Sequence, residues 1–223
     1  MNAACRLYLL TPPTLDADFP ARLAAALDAG DVAAVRLALP GAPEDTLRQA
    51  AETLRPIVQS RGVALILQGD PALAVATGCD GVHVPAGTPL VGLRKLVGDL
   101  QIGASCGGSR DAAMSAGDAG ADYIAFGPYN DPAHPWVPRE EDEDGDNETH
   151  ENEESSGAPD PELLPWWVEL MELPAVAEGL ITAENCGGLV RAGADFIAVG
   201  DAIWGEPDPA AAIKAMLAAI EAA

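Results

Sequence analysis

Positive charge is scarce in this chain. Its 223 residues include 12 Lys and Arg against 35 Asp and Glu, a formal charge of −23. Nucleic acid and anionic membranes attract the opposite balance, so neither is an expected partner. Long apolar runs are missing too. No stretch reaches about 18 apolar residues, so no membrane span is expected. The start, MNAACRLYLLTPPT, has one Arg and a very short apolar run. It matches neither a signal peptide nor a lipidation signal, and LYLLT reads better as a first strand. The four cysteines, Cys5, Cys79, Cys106 and Cys186, form no CxxC pair, which leaves zinc and dithiol motifs without support. Four reduced thiols in a cytoplasmic protein are expected.

What is present is a weak internal repeat. AGDVAAV (29–35), TGCDGVHV (77–84), AGADYIAFG (119–127) and AGADFIAVG (192–200) each place Asp one or two residues after Gly, just before an apolar run. Gly ends the preceding helix in a left-handed conformation, Asp suits the turn, and the apolar run suits a parallel strand buried on both faces. Eight strand candidates follow: 6–11, 32–39, 64–68, 81–84, 101–106, 123–128, 174–179 and 196–201. Helical patterns such as 43–60, 109–120 and 208–222 alternate with them. Eight βα units in this length indicate a single-domain α/β fold over 1–223, a compact (β/α)8 TIM barrel. A doubly wound sheet is the alternative, but it needs fewer strands.

One segment stands apart. Residues 138–160 are polar and charged, with ten acids between 140 and 154. Such a run reads as a solvated, disordered acidic insertion after strand six, leaving the C-terminal face of the barrel. A calcium site is the sharper reading, but the EF-hand ligand spacing is absent. Without those ten acids, 25 acidic residues still face 12 basic ones.

The stretch VAEGLITAEN (176–185) combines a strand, a glycine turn and a helix start, with Thr182 as the expected N-cap. Such a turn commonly cradles an anion. Glu178 sits inside it and opposes one. An inward carboxylate at a strand end needs a partner, and Arg36, on another barrel strand, is the candidate. His83, within a strand, reads as a satisfied core histidine rather than a ligand. Trp166 and Trp167 read as packing against the barrel exterior rather than as a stacking platform. Cys106 and Cys186 lie near the functional face but have no evident His partner, so packing is preferred to a nucleophilic role.

The motifs LYLLTPP (7–13), DGVHV (80–84), IGASC (102–106), GADYIAFGP (120–128), ELLPWWVELMELP (162–174), ITAENC (181–186) and AGADFIAVGDAIW (192–204) occur in order along the chain. Together they resemble the thiamine-phosphate synthase and thiazole tautomerase superfamily, and the run around Trp166 and Trp167 is similar to one bacterial synthase branch. The resemblance implies a TIM barrel that joins an aminopyrimidine pyrophosphate to a thiazole phosphate. Magnesium assists pyrophosphate departure, and the thiazole nitrogen captures a pyrimidine cation.

Against that pattern several positions differ. Arg36 stands where Gln is expected, and Ala38 and Pro40 replace Arg and Lys. Gln68-Gly69 stands where Asn-Asp is expected, with Asp70 next along, and Thr88 lies where the second metal carboxylate belongs. The loop 128–135 lacks the family's threonines and lysine, with His134 near the lysine position. Gly179-Leu180-Ile181-Thr182 replaces Gly-Gly-Ile-Thr, and Asp201 replaces a serine after Gly200. Ser105 matches a family serine, whereas Gly107 and Gly108 stand where the tautomerase branch has a His. No family-type magnesium site and no other cofactor are therefore expected. The ligand-binding candidates are Arg36, Gln68, Ser105, His134, Gly179, Thr182 and Gly200. Glu178, Asp201 and Asp70 are the acid–base candidates. The expected function is a barrel linked to thiamine biosynthesis that has lost the synthase reaction and binds a small heterocycle, or a protein partner through the acidic loop. The alternatives are an atypical active synthase, or an enzyme on a less anionic substrate that uses Glu178 and Asp201.

Overall fold

The computed structural model describes residues 5–131 and 159–223. Its strands are β1 (Arg6–Leu10), β2 (Val32–Leu37), β3 (Ala64–Gln68), β4 (Gly81–Val84), β5 (Gln101–Gly107), β6 (Tyr123–Tyr129), β7 (Ala175–Gly179) and β8 (Phe196–Val199). Each pairs in parallel with its sequence neighbour, and β8 returns to β1, so the sheet is a closed barrel rather than an open one. The helices are α1 (Phe19–Leu27), α2 (Glu44–Gln59), α3 (Pro71–Thr77), α4 (Leu93–Val97), α5 (Arg110–Asp118), α6 (Leu163–Leu170), α7 (Cys186–Arg191), α8 (Asp201–Trp204) and α9 (Pro209–Glu221). Among the described residues no helix is long and apolar enough to cross a membrane.

The repeated Asp does more than turn the chain. Asp80, Asp122 and Asp195 precede β4, β6 and β8. Each donates its own N–H to a carbonyl at the start of the preceding strand and accepts that same residue's N–H on its carboxylate. The partners are Leu65, Ile102 and Ala175, with N–H···carboxylate distances of 2.7, 2.7 and 2.8 Å. Charge-assisted bonds of this kind are the stronger class, and here they stitch three strand pairs at the N-terminal end of the barrel. Asp31, before β2, instead holds Arg6 of β1 through two 2.9 Å contacts.

Alternation along the strands sorts the side chains. Leu7, Leu9, Val35, Leu37, Leu65 and Leu67 face the helices in the main core, whereas Tyr8, Ala34, Ile66, Tyr123, Ala125, Val176 and Ala198 fill the barrel interior. Small residues make room for large ones inside. A Cβ placed on Gly103 would lie 2.0 Å from Cζ of Tyr123, so only glycine admits that ring. Trp167 is buried, crosses the Phe126 ring edge-on and donates its indole N–H to the Leu173 carbonyl at 2.8 Å. Half-buried Trp166 lies under the Arg110 guanidinium, 4.8 Å from its carbon. Both therefore pack outside the barrel.

The expected segment 138–160 falls in the connection from β6 to α6, and 138–158 lie outside the described residues. At its end, Pro159 is buried and Asp160 accepts the Glu162 N–H at 2.8 Å. These two residues belong to the fold rather than to an insertion.

Candidate active site

The C-terminal ends of β1, β2, β6 and β7 line an open cavity of about 250 Å³ with Leu10, Arg36, Gly127, Pro128, Glu178 and Gly179. Arg36 sits on β2 opposite Leu10 of β1 and Ile66 of β3. Its Nη2 donates to Oε2 of Glu178 at 2.6 Å, so the partner expected for Glu178 is present. The two side chains are 7% and 20% exposed, a largely desolvated pair. Burial works against the Arg36 charge, but the Glu178 carboxylate and the neighbouring phenols outweigh it and raise the guanidinium pKa. The guanidinium carbon lies 5.8 Å from the centre of the Tyr8 ring, a cation–π distance. Its Nε and Nη1 are sealed from solvent and have no hydrogen-bond partner among the described residues. A Cβ on Gly127 would lie 2.6 Å from Cγ of Glu178, so glycine on β6 leaves space for the Glu178 stem.

Below this pair a polar chain crosses the interior. Tyr8 and Tyr123 hydroxyls lie 2.9 Å apart, Tyr123 is 3.1 Å from Nδ1 of His83, and Nε2 of His83 is 2.8 Å from Oγ of Ser105. His83 is thus the satisfied core histidine expected. Burial, reinforced by the Arg36 charge, holds its pKa well below the usual value, so the ring is neutral. Burial also pushes the Tyr8 phenol up to about 12, against the pull of Arg36, and raises Tyr123 well above its ordinary range. Ser105 is half-buried. The tyrosines were missed in the sequence. Their signal was a phenol at inward strand positions, but the match depends on barrel register.

Other candidates are placed differently. Asp70 is the N-cap of α3: its Oδ1 accepts the Leu73 N–H at 2.9 Å, and Pro71 follows at the first helical position. The same Asp-Pro pair opens α9 at Asp208, so this was a readable cap signal. Thr182 is not a cap. The α7 helix begins at Cys186 after Asn185, and the Asn185 side chain folds back, accepting the Thr182 N–H at 2.8 Å and donating to the Leu180 carbonyl. The Leu180 N–H is held by the Tyr129 carbonyl at 2.9 Å. Two amides of the expected anion cradle are therefore already occupied. Gly179 has φ +143 and lies against the Tyr129 backbone, where a Cβ would come within 2.2 Å.

Asp201 opens α8 after Gly200 instead of ending β8, and it is exposed. Glu178 is bonded to Arg36 and not to Asp201. Gln68 ends β3, half-buried. His134 lies outside the described residues. Cys106 and Cys186 are buried, and burial raises both thiols, Cys106 to about 12, which disfavours thiolate chemistry.

The donor set does not fit a family-type magnesium ion. Gly69 and exposed Thr88 offer no carboxylate at the two expected positions, and the Asp70 carboxylate is engaged by its helix. Among the described residues no three His, Cys, Asp or Glu come together.

A family model described as thiamine monophosphate synthase matches residues 7–135. A thiamine-phosphate synthase from Rhodospirillum centenum is 48% identical over 213 residues, covering 94% of both chains. One from Erythrobacter litoralis is 39% identical over 222 residues, covering 98% of this chain and 96% of its own. The solved structure of thiamine phosphate pyrophosphorylase from Pyrococcus furiosus superposes with a TM-score of 0.79 at 24% identity, covering 98% of this chain and 96% of that one.

Proposed function

The chain belongs to the thiamine monophosphate synthase family, and from that premise we propose that it is an atypical thiamine-phosphate synthase working at the mouth of the barrel. The identity to synthase-named relatives along nearly the whole chain supports an active transferase over the partner-binding barrel that the substituted positions alone suggested. The observation that carries the reading is the Arg36–Glu178 pair in the mouth cavity. In the reaction implied by the family, the C–O bond to pyrophosphate breaks and the leaving group keeps the electron pair. A pyrimidine cation remains until the thiazole nitrogen forms the new C–N bond. The step separates charge.

A buried cation beside a carboxylate has a pole for each product of that separation. Arg36 is held with two donors unpartnered, and a swing of the guanidinium into the cavity satisfies them on the departing anion. Glu178 then faces the pyrimidine cation. The cavity is slightly below the roughly 300–1,000 Å³ of ordinary ligand pockets, which suits one heterocycle at its floor.

A second reading is favoured by the same pair: Glu178 neutralises Arg36, which lowers anion affinity and suits binding without turnover. The test is formation of thiamine phosphate from an aminopyrimidine pyrophosphate and a thiazole phosphate, with and without magnesium. Expected are turnover by the unmodified chain and its loss in Arg36→Ala. Heterocycle binding by calorimetry without product would establish the second reading instead.

A further inference from the structure

The chain of four side chains in the barrel interior has only one hydrogen arrangement that strands no buried proton. Tyr8, Tyr123, neutral His83 and Ser105 carry four polar protons and share three contacts, so one proton must lie outside the chain. Tyr8 and Tyr123 are 3% and 8% exposed, and among the described residues neither hydroxyl has another partner. If Ser105 donated to Nε2 and His83 donated from Nδ1, a tyrosine proton would be left buried without an acceptor. If both Tyr8 and His83 donated to Tyr123, the Tyr123 proton would be stranded instead. Only one direction avoids this. Tyr8 donates to Tyr123, Tyr123 donates to Nδ1, and Nε2–H donates to the Ser105 oxygen. The surplus proton then belongs to half-buried Ser105 alone.

We infer that Tyr8, Tyr123 and His83 are positioning residues that hold the Ser105 oxygen as an acceptor and leave its proton free to donate outside the chain. The same direction excludes Ser105 as a His-activated nucleophile, because Nε2 already holds a proton and cannot take the hydroxyl's. The proton direction does not rest on the proposed function, and it is read without substrate.

The experiment is nitrogen NMR of the full chain with labelled histidine, carrying His134→Gln and His150→Gln so that His83 is the only histidine. The expected result is a protonated Nε2 and a bare Nδ1, in excess of the other tautomer by about 5- to 150-fold, the usual cost of an orphaned buried donor expressed as a ratio. Tyr8→Phe should leave this tautomer in place, because Tyr123 still needs Nδ1 as acceptor. Tyr123→Phe should move the Nδ1 resonance, because it removes the donor to that atom. A protonated Nδ1 in the otherwise unchanged chain overturns the inference. So does a sulfonyl fluoride adduct mapped to Ser105 by mass spectrometry, since that requires His83 to act as base. Absence of turnover in the synthase assay with Nε2 protonated would sink the proposed function and leave the proton direction standing.

Discussion

Replacing Glu178 by Gln keeps the side-chain shape and removes the carboxylate bonded to Arg36. The guanidinium is 7% exposed, and among the described residues two of its nitrogens are sealed and without partners, so it is left largely desolvated. Breaking a buried ion pair by removing one partner costs roughly 3–5 kcal/mol. Glu178 is 20% exposed, so some water reaches the pair and the lower end, about 3 kcal/mol, is the appropriate figure. Removing both charges should behave differently. Arg36→Gln with Glu178→Leu takes away the cost of burying either ion, and such exchanges are often neutral or stabilising by about 1–4 kcal/mol. The assay is equilibrium urea unfolding of Glu178→Gln and of the four-member cycle made by the unmodified chain, Arg36→Gln, Glu178→Leu and their double variant. Expected are a large loss in Glu178→Gln and recovery in the double variant. A loss below about 1 kcal/mol in the single variant, with additive effects across the cycle, would show that the pair is a solvated surface contact and would undo the account of the mouth.

Three further outcomes follow from particular contacts. Gly103→Ala drives a Cβ to within 2.0 Å of the Tyr123 ring, so it should destabilise by at least about 1–3 kcal/mol and shift the His83 nitrogen resonances as the phenol is displaced. Asp70→Ala should cost about 1 kcal/mol by urea unfolding through loss of the α3 cap, with calorimetric magnesium binding unchanged. The third concerns pH. Burial holds folded His83 well below its unfolded value of about 6.5, so under that pH the unfolded chain takes up a proton that the folded chain refuses. Stability should then fall by up to about 1.4 kcal/mol per pH unit, from about 6.5 down to the depressed folded value. His83→Gln should lack this component, visible as a flatter dependence of urea midpoint on pH.

The barrel was readable because its signal is local. Glycine, aspartate and an apolar run recur once per unit, and every expected strand appears within two residues of its bounds. The clamp made by each Asp was not readable, since its partner lies about 15 to 20 residues back across a helix. Arg36 and Glu178 could be matched because two inward charges on apolar strands have few other ways to be satisfied. The tyrosines could not. Tyr8 and Tyr123 are 115 positions apart, and their contact follows from barrel closure and from Gly103 leaving space. Asp70 also carried a readable cap signal in its Asp-Pro signature, and the structure uses it as the α3 cap. Thr182 was misjudged for a subtler reason: Asn185, three residues on, takes the Thr182 N–H and displaces the helix start.

The chain's net charge does not decide what the mouth prefers. Charges in solvent more than about 8 Å apart are largely screened at physiological ionic strength, so the acidic surface acts weakly on a ligand at the cavity floor. Among the described residues lining that cavity, the charged side chains are one Arg and one Glu, which sum to zero. A ligand carrying a single charge gains from one pole and loses to the other. A species in which positive and negative charge are separating gains from both. In the proposed synthase reaction, bound substrate keeps its pyrophosphate attached to carbon and has no cation, whereas the transition state has both. A dipolar pair therefore favours the transition state over the bound substrate, and only such a difference raises the rate of the chemical step. On this view Arg36, standing where the resemblance implies a neutral Gln, alters which charge distribution the site complements, and Glu178 is the counter-pole it requires.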